Sequence, residues 1–340
     1  VDFKDFWYIA AESKDVKGDR PFATQIMDEW IVLFRDADGK ASALRDNCIH
    51  RCARLSKGTV KNGRLECPYH GWTYNGRGHV VSVPSEGQEK TGSSGRKTVS
   101  YPVTEIDHYI YVRLNRDVAV EHPPFRIPEY GKKGWKTIRL VNRFENNVTN
   151  CAENFVDIPH TVSVHPKIFR VAKNEKIQAT VTRKEGTVFV RYLNEKTNLG
   201  FFSWFLNPDK KEIVHTDAFY MPNITSVRYQ AGTHREFIIT SQSVPVSEEE
   251  TLVYTDLTYD YGIWNFLSGP IVRNQAQTII DQDIEILKIQ MEGIRKYGAK
   301  FQNSEADVIH VMIESIRNEI AKGGDPKLLP EKNHEIQFYV

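Results

Sequence analysis

The sequence predicts an α+β protein with an antiparallel β domain in front and a helix-grip-like domain behind, in which an antiparallel sheet wraps around a long helix. Three observations carry this. Short period-two apolar runs, broken at Asp38-Gly39 and Asn75-Gly76, continue to Asn115. Longer runs of the same period extend from Lys176 to Tyr261, which points to a large antiparallel sheet rather than βαβ units. Helical periodicity takes over only from Val272 to Tyr297 and again from Ser304 to Lys322. A chain of 340 residues is long enough for two cores.

Taken in order, WYIA and EWIVLFR are strands, and LRDNCIH leads into a first metal loop. GRLECPYHGWTYNGRGHVV reads as strand, metal loop, strand, turn, strand, and TEIDHYIYVRLN closes the domain at residue 118. The polar, Gly/Ser-rich stretch 86–97 is a surface loop. The Pro-bearing segment 119–135 is the connector, and the second domain runs over 136–340, opening with the strand candidate KTIRLVNRFE.

With 45 Lys+Arg against 44 Asp+Glu the net charge is +1, and nothing asks for nucleic acid or an anionic membrane. No run is long enough to cross a bilayer. The opening VDFKDFWYIA lacks the basic and apolar regions of a signal peptide. Of the four cysteines, Cys48, Cys52, Cys67 and Cys151, two fall in the metal loops, so a disulfide scaffold is not expected. This usage suits a reducing, cytoplasmic setting. Cys52 is expected to be a small side chain packed beside the metal.

Cys48, His50, Cys67 and His70 form C-x-H, a sixteen-residue spacer, then C-x-x-H. Zinc accepts two sulfurs and two nitrogens, and so does a two-iron, two-sulfur cluster with two Cys on one iron and two His on the other. Each loop here gives one Cys and one His, which favours the cluster, because a zinc finger pairs its cysteines in one loop. A structural zinc protein and an electron carrier with an extra domain are the rival readings.

The second chemistry-bearing stretch is Asn154-Phe155-Val156-Asp157-Ile158-Pro159-His160-Thr161-Val162-Ser163-Val164-His165. Five helical positions rotate about 140°, so His160 and His165 converge only if the helix breaks between them. Val162 and Val164 weaken it and Pro166 disfavours α geometry at His165. Two imidazoles and one carboxylate, with open positions, suit mononuclear Fe(II) that activates O2. The late helix offers the carboxylate: Ile280, Asp283, Ile284, Leu287 and Met291 share one face. Asp283 is an acid in that apolar stripe, whereas Asp281 is turned about 200° away and is the alternative.

Together these motifs resemble the Rieske non-haem iron oxygenases over essentially the whole length. ENFVDIPHTVSVH matches N-x-x-D-x-x-H-x4-H, and QDIEILKIQ is similar to E-D-x-x-x-L-E-x-Q, with Gln282 and Lys288 where Glu is usual. The resemblance implies a Rieske [2Fe-2S] domain over 1–118, with the cluster on Cys48, His50, Cys67 and His70, and a catalytic domain over 136–340. It assigns mononuclear iron to His160, His165 and Asp283. It makes Asp157 the carboxylate that bridges a cluster histidine and an iron histidine across a subunit boundary, and Asn154 a polar residue near the iron.

It further implies a head-to-tail homotrimer. Electrons from NAD(P)H would come through a separate flavin/iron-sulfur reductase, with or without a ferredoxin, and O2 would be the co-substrate. In length and single helical C-terminal region the chain resembles the monooxygenase branch. By general similarity it also resembles the cyanobacterial saxitoxin-biosynthetic members, which hydroxylate a tricyclic bis-guanidinium skeleton. O- or N-demethylation of an aromatic substrate is the alternative. The substrate pocket is expected between Trp204 and Ala276 and the late helix, with Asp217, Asp256, Asp260, Tyr254 and Tyr261 as candidates to meet guanidinium groups.

Overall fold

The computed structural model describes residues 1–87, 95–117, 122–166, 176–193, 206–232 and 235–339. Most of the 86–97 loop, part of the connector, and Trp204 lie outside the described residues. The chain divides into two units, Lys4–Arg126 and Ile127–Val340, the latter also taking in Val1–Phe3.

Among the described residues the first unit contains three small antiparallel sheets. One orders β1 (Trp7–Glu12), β11 (Tyr109–Arg113) and β10 (Val103–Ile106). A second orders β2 (Phe22–Ile26), β3 (Glu29–Arg35), β4 (Ala41–Arg45) and β9 (Ser100–Tyr101). The third, β5 (Thr59–Lys61), β6 (Arg64–Glu66), β7 (Thr73–Tyr74) and β8 (Val80–Ser82), is built from very short strands, because its chain is spent on the loops that carry the ligands. Val32, Phe34, Leu44, Leu55, Leu65 and Tyr74 form the core under those loops.

The second unit is one eight-stranded antiparallel sheet. Its order is β12 (Lys136–Phe144), β18 (Glu250–Asp260), β17 (Arg235–Ser247), β16 (Ile224–Ala231), β15 (Ile213–Tyr220), β14 (Thr187–Tyr192), β13 (Lys176–Lys184) and β19 (Lys332–Tyr339). Among the described residues its α-helices are α1 (Val148–Asn154), α2 (His160–Val164), α3 (Asn265–Tyr297) and α4 (Val308–Ala321). The helix α3 packs through Val272, Ala276, Ile280 and Leu287 onto Leu140, Phe144, Phe237 and Leu257 of the sheet. Each of the Val, Leu, Ile and Phe side chains contributes about 1.5–3 kcal/mol on burial.

The helix expected from Val272 begins at Asn265, with Pro270 inside it. Proline so near the start removes one backbone bond without ending the helix. The Asn265 side chain secures the beginning by accepting from the Tyr261 N–H at 2.7 Å. At the second helical stretch, Ser304 and Asp307 form a reciprocal cap before α4.

Candidate functional site

The two ligand loops of the first unit are built alike. The Cys48 N–H donates to the Ala53 carbonyl at 2.8 Å, and the Cys48 carbonyl accepts from the Cys52 N–H at 2.9 Å. The Cys67 N–H donates to the Trp72 carbonyl at 2.8 Å, and the Cys67 carbonyl accepts from the Gly71 N–H at 3.1 Å. The fifth position of each loop must therefore turn left-handed, with φ of 58° at Cys52 and 70° at Gly71. This corrects the expectation for Cys52, which is exposed and holds a turn rather than packing beside a metal.

Cys48 and Cys67 are buried, His50 is half-buried, and His70 is exposed. The His50 and His70 rings lie 4.6 Å apart, and His50 stacks on Trp72 at 4.7 Å. Burial pushes the Cys67 thiol up, the Tyr69 N–H pulls it down, and neighbouring Cys48 pushes it up again. Two thiols pressed together inside, with two imidazoles outside, are a donor set that fits a [2Fe-2S] cluster with its histidine iron outermost. His50 Nδ1, buried with no hydrogen bond, fits a ligand atom held ready for metal. The Tyr74 hydroxyl accepts from the Ile49 N–H at 3.2 Å and so can donate to Cys48 Sγ at 3.1 Å. A hydrogen bond to a ligand sulfur is one of the controls on cluster potential. Buried Asp46 braces the first loop by accepting from Arg54 Nε at 2.7 Å and from the Ser56 N–H at 2.6 Å.

In the second unit α2 ends at Val164, and His165 leaves it with φ −115° and ψ 56°. That break brings the two ring Nε2 atoms within 3.3 Å. Asp283 Oδ1 lies 3.1 Å from His165 Nε2 and 3.4 Å from His160 Nε2, yet it makes no hydrogen bond of acceptable geometry. Three ligand atoms at right angles around an ion with bonds of about 2.1 Å stand about 3.0 Å apart. The three atoms thus face a common point rather than one another, which fits a mononuclear metal. Asp281 is exposed and accepts from Gln277 at 2.8 Å. Buried Asn146 ties α1, which precedes the histidine segment, to α3. Its Nδ2 donates to the Leu287 carbonyl at 2.7 Å, and its Oδ1 accepts from Asn150 Nδ2 at 2.8 Å.

Burial pulls the His160 pKa down, but Asp157 and Asp283 outweigh it and hold it at about 9. Burial pushes Asp283 up, and His160 and His165 more than reverse this, leaving it below the usual carboxylate value. In the metal-free protein the His160 shift stabilises fully below its ordinary value of 6.5, and that stabilisation is lost as the pH rises through about 9. A bound metal takes the place of that proton. Iron affinity is therefore expected to rise about tenfold per pH unit up to about pH 9 and then level off, as equilibrium dialysis against buffered Fe(II) would show.

One residue of this site escaped the sequence reading. Gln282 was a mere departure from a motif, but its Oε1 lies 2.7 Å from His165 Nδ1 and accepts from it once Nε2 faces the metal. The signal was its place directly before Asp283 on a helix that must serve the site. Gln282→Leu is expected to weaken iron binding about 10–100-fold, measured by the same dialysis, with the cluster spectrum unchanged.

The triad opens into a cavity of about 120 Å³, many times the roughly 10–15 Å³ that one water needs. Its lining includes Asn154, Asp157, His160, His165 and Asp283 together with Asp217, Tyr229, Phe237, Ile239 and Leu257. Asn154 Nδ2 is buried there with no partner, and Asp157 Oδ2 stands 3.4 Å from His160 Nδ1. Of the five residues expected to meet a substrate, only Asp217 lines the cavity. Asp256 is instead paired across strands with Arg139 at 3.0 Å, and Asp260 accepts from the Gly262 N–H at 2.8 Å. Tyr254 and Tyr261 are buried outside the lining.

Comparison with known proteins agrees with this two-unit layout. The Rieske [2Fe-2S] domain matches residues 6–102, and the vanillate O-demethylase oxygenase C-terminal domain matches residues 144–322. The oxygenase component of dicamba O-demethylase from Stenotrophomonas maltophilia is 28% identical over 188 residues, 54% of this chain and 54% of that protein. Chlorophyllide a oxygenase of Arabidopsis thaliana is 37% identical over 166 residues, 49% of this chain but only 30% of that protein. These alignments thus span about half the length of the first relative and less of the second. The crystal structure of dicamba monooxygenase bound to 3,6-dichlorosalicylic acid shares the fold, with a TM-score of 0.80 at 22% identity over 94% of this chain and 98% of that one. Since the C-terminal match alone takes in more than half of the residues, the chain belongs to the Rieske non-haem iron oxygenase family.

Proposed function

We propose that the chain is the oxygenase component of a monooxygenase that inserts one atom of O2 into a small molecule. Its electrons come from NAD(P)H through a separate flavin/iron-sulfur reductase, with or without a ferredoxin. The observation that carries this is the His160–His165–Asp283 triad opening into a largely apolar cavity in a chain that also holds a Cys2His2 cluster site. A pure electron carrier has no use for that second centre. With iron bound, open positions on the metal would supply O2 activation.

The protein's own residues do the rest. His160, His165 and Asp283 hold the ion, Gln282 fixes the His165 tautomer, and Asn154 offers a buried N–H to whatever occupies the cavity. The apolar walls keep water out. Asp157, beside His160 Nδ1, carries a second carboxylate oxygen that can accept from a cluster histidine of a neighbouring chain. This supports a head-to-tail homotrimer. The cysteine usage supports a cytoplasmic setting, and among the described residues no helix is long and apolar enough to cross a membrane.

Two reactions share this chemistry. Hydroxylation of a saxitoxin-type bis-guanidinium alkaloid is supported by Asp217 in the cavity lining. O- or N-demethylation of an aromatic compound is supported by the vanillate O-demethylase domain match and the dicamba O-demethylase relative. A substrate screen with a generic reductase, O2 and mass detection separates them. Gain of one oxygen means hydroxylation, and loss of a methyl group with release of formaldehyde means demethylation. Electron consumption without any oxidised product, with both metals loaded, would contradict the proposal.

A further inference from the structure

The sheet side of the cavity holds a buried polar cluster that the metal sites do not explain. On β15 the side chains alternate, so Ile213, His215 and Asp217 all point inward. The sheet register sets Tyr229 opposite His215 and Val227 opposite Asp217. Tyr192, at the end of β14, completes a stack of three rings. The Tyr192 and His215 centroids lie 4.4 Å apart, and those of His215 and Tyr229 lie 4.1 Å apart, with interplanar angles of 24° and 23°. His215 Nε2 reaches Asp217 Oδ1 at 2.9 Å, and the Tyr192 hydroxyl donates to Asp217 Oδ2 at 2.9 Å.

Asp217 is only 2% exposed and His215 only 1%. A carboxylate buried so deeply is costly unless donors hold it, and here each oxygen has one. A carboxylate offers about four acceptor positions, so each oxygen keeps one for a further donor. Both Asp217 and His215 line the cavity that the iron triad opens into. Among the described lining residues there is no Arg or Lys, and beyond the triad, its neighbours and the His215–Asp217 pair the remaining polar groups are the hydroxyls of Thr225, Tyr229, Ser241 and Thr255. Away from the iron site, an anionic substrate therefore meets an acid and aromatic faces, with no Arg or Lys among the described lining residues to receive it. A flat cation would meet a preorganised carboxylate in an aromatic-rich lining.

We propose that Asp217, held by His215 and Tyr192, is the anchor for a cationic N–H donor on a small ring compound, and that the cavity selects amines, amidines or guanidines over carboxylates. This rests on the reading of the cavity as the substrate site and adds to it the substrate's charge and the residue that reads it.

Three probes of one size test it: benzamidine, benzamide and benzoate, titrated calorimetrically into the protein carrying both metal centres. Benzamidine is expected to bind at least tenfold tighter than benzoate, with benzamide between them. Asp217→Asn keeps the side-chain shape, and the Tyr192 hydroxyl can turn to accept from it. This variant is expected to reduce benzamidine binding at least tenfold and to leave benzoate binding no weaker. A purely structural Asp217 would instead lower the melting temperature and leave the benzamidine-to-benzoate ratio alone, which overturns the proposal. So does benzoate binding wild type as tightly as benzamidine. Should the variant not fold, a crystal structure of wild type with benzamidine decides: an amidinium in hydrogen-bond reach of Asp217 supports the anchor, and one seated elsewhere overturns it. Oxidation assays keep the two readings apart. Asp217-dependent preference with no oxidised product upholds the anchor while the monooxygenase reading fails. Oxidised products with a preference that ignores Asp217 do the reverse.

Discussion

Asp283→Ala is expected to abolish stable iron binding at the second centre, by at least about 100-fold in affinity, while the visible spectrum of the cluster stays intact. Asp283 supplies the only carboxylate among the three convergent ligand atoms, and its oxygen stands near right-angle spacing from both imidazole nitrogens. Without it two neutral rings remain, and the positive charge of the ion lies buried without its anion. Iron and acid-labile sulfide analysis, with an absorption spectrum on the same sample, reads both centres together. Asp281→Ala serves as the control. Its carboxylate is exposed and accepts only from Gln277 among the contacts seen, so the second iron should survive.

Asp157→Ala has a different expected signature. Both centres load, but single-turnover transfer of the cluster's electron slows by about 10–100-fold or more. Asp157 does not belong to the triad of ligand atoms. Its carboxylate stands 3.4 Å from the outer nitrogen of His160, and its loss removes the anion beside that nitrogen on the side away from the metal. Stopped-flow reoxidation of the reduced cluster, with substrate and O2 present, measures the rate. Asp157→Asn should recover part of it, since an amide oxygen still accepts. Unchanged turnover in Asp157→Ala with an external reductase would remove the bridging role.

Much of this architecture was legible because the sequence states it in periodicities that burial enforces. Strands β13 to β18 follow the period-two runs, and the apolar stripe of α3 displays Asp283 as an acid among Ile280, Leu287 and Met291 because the helix repeat fixes which side chains share a face. The break that lets His160 and His165 converge could be read from Pro166. Less legible was anything that depends on which strands become neighbours. Asp217, Asp256 and Asp260 look alike in sequence. Only the sheet register shows that Asp256 faces Arg139 across strands, while Asp217 shares an inward row with His215. Gln282 was hidden for a related reason: its role depends on a ring 117 positions away.

The central claim is that this chain carries two metal centres of different kinds. Anaerobic reconstitution with Fe(II), followed by iron and sulfide analysis per chain, tests it most directly. About three irons and two sulfides are expected, in a red-brown protein whose third iron is lost on Asp283→Ala. Two irons with two sulfides in both wild type and variant would leave an electron carrier and contradict the account.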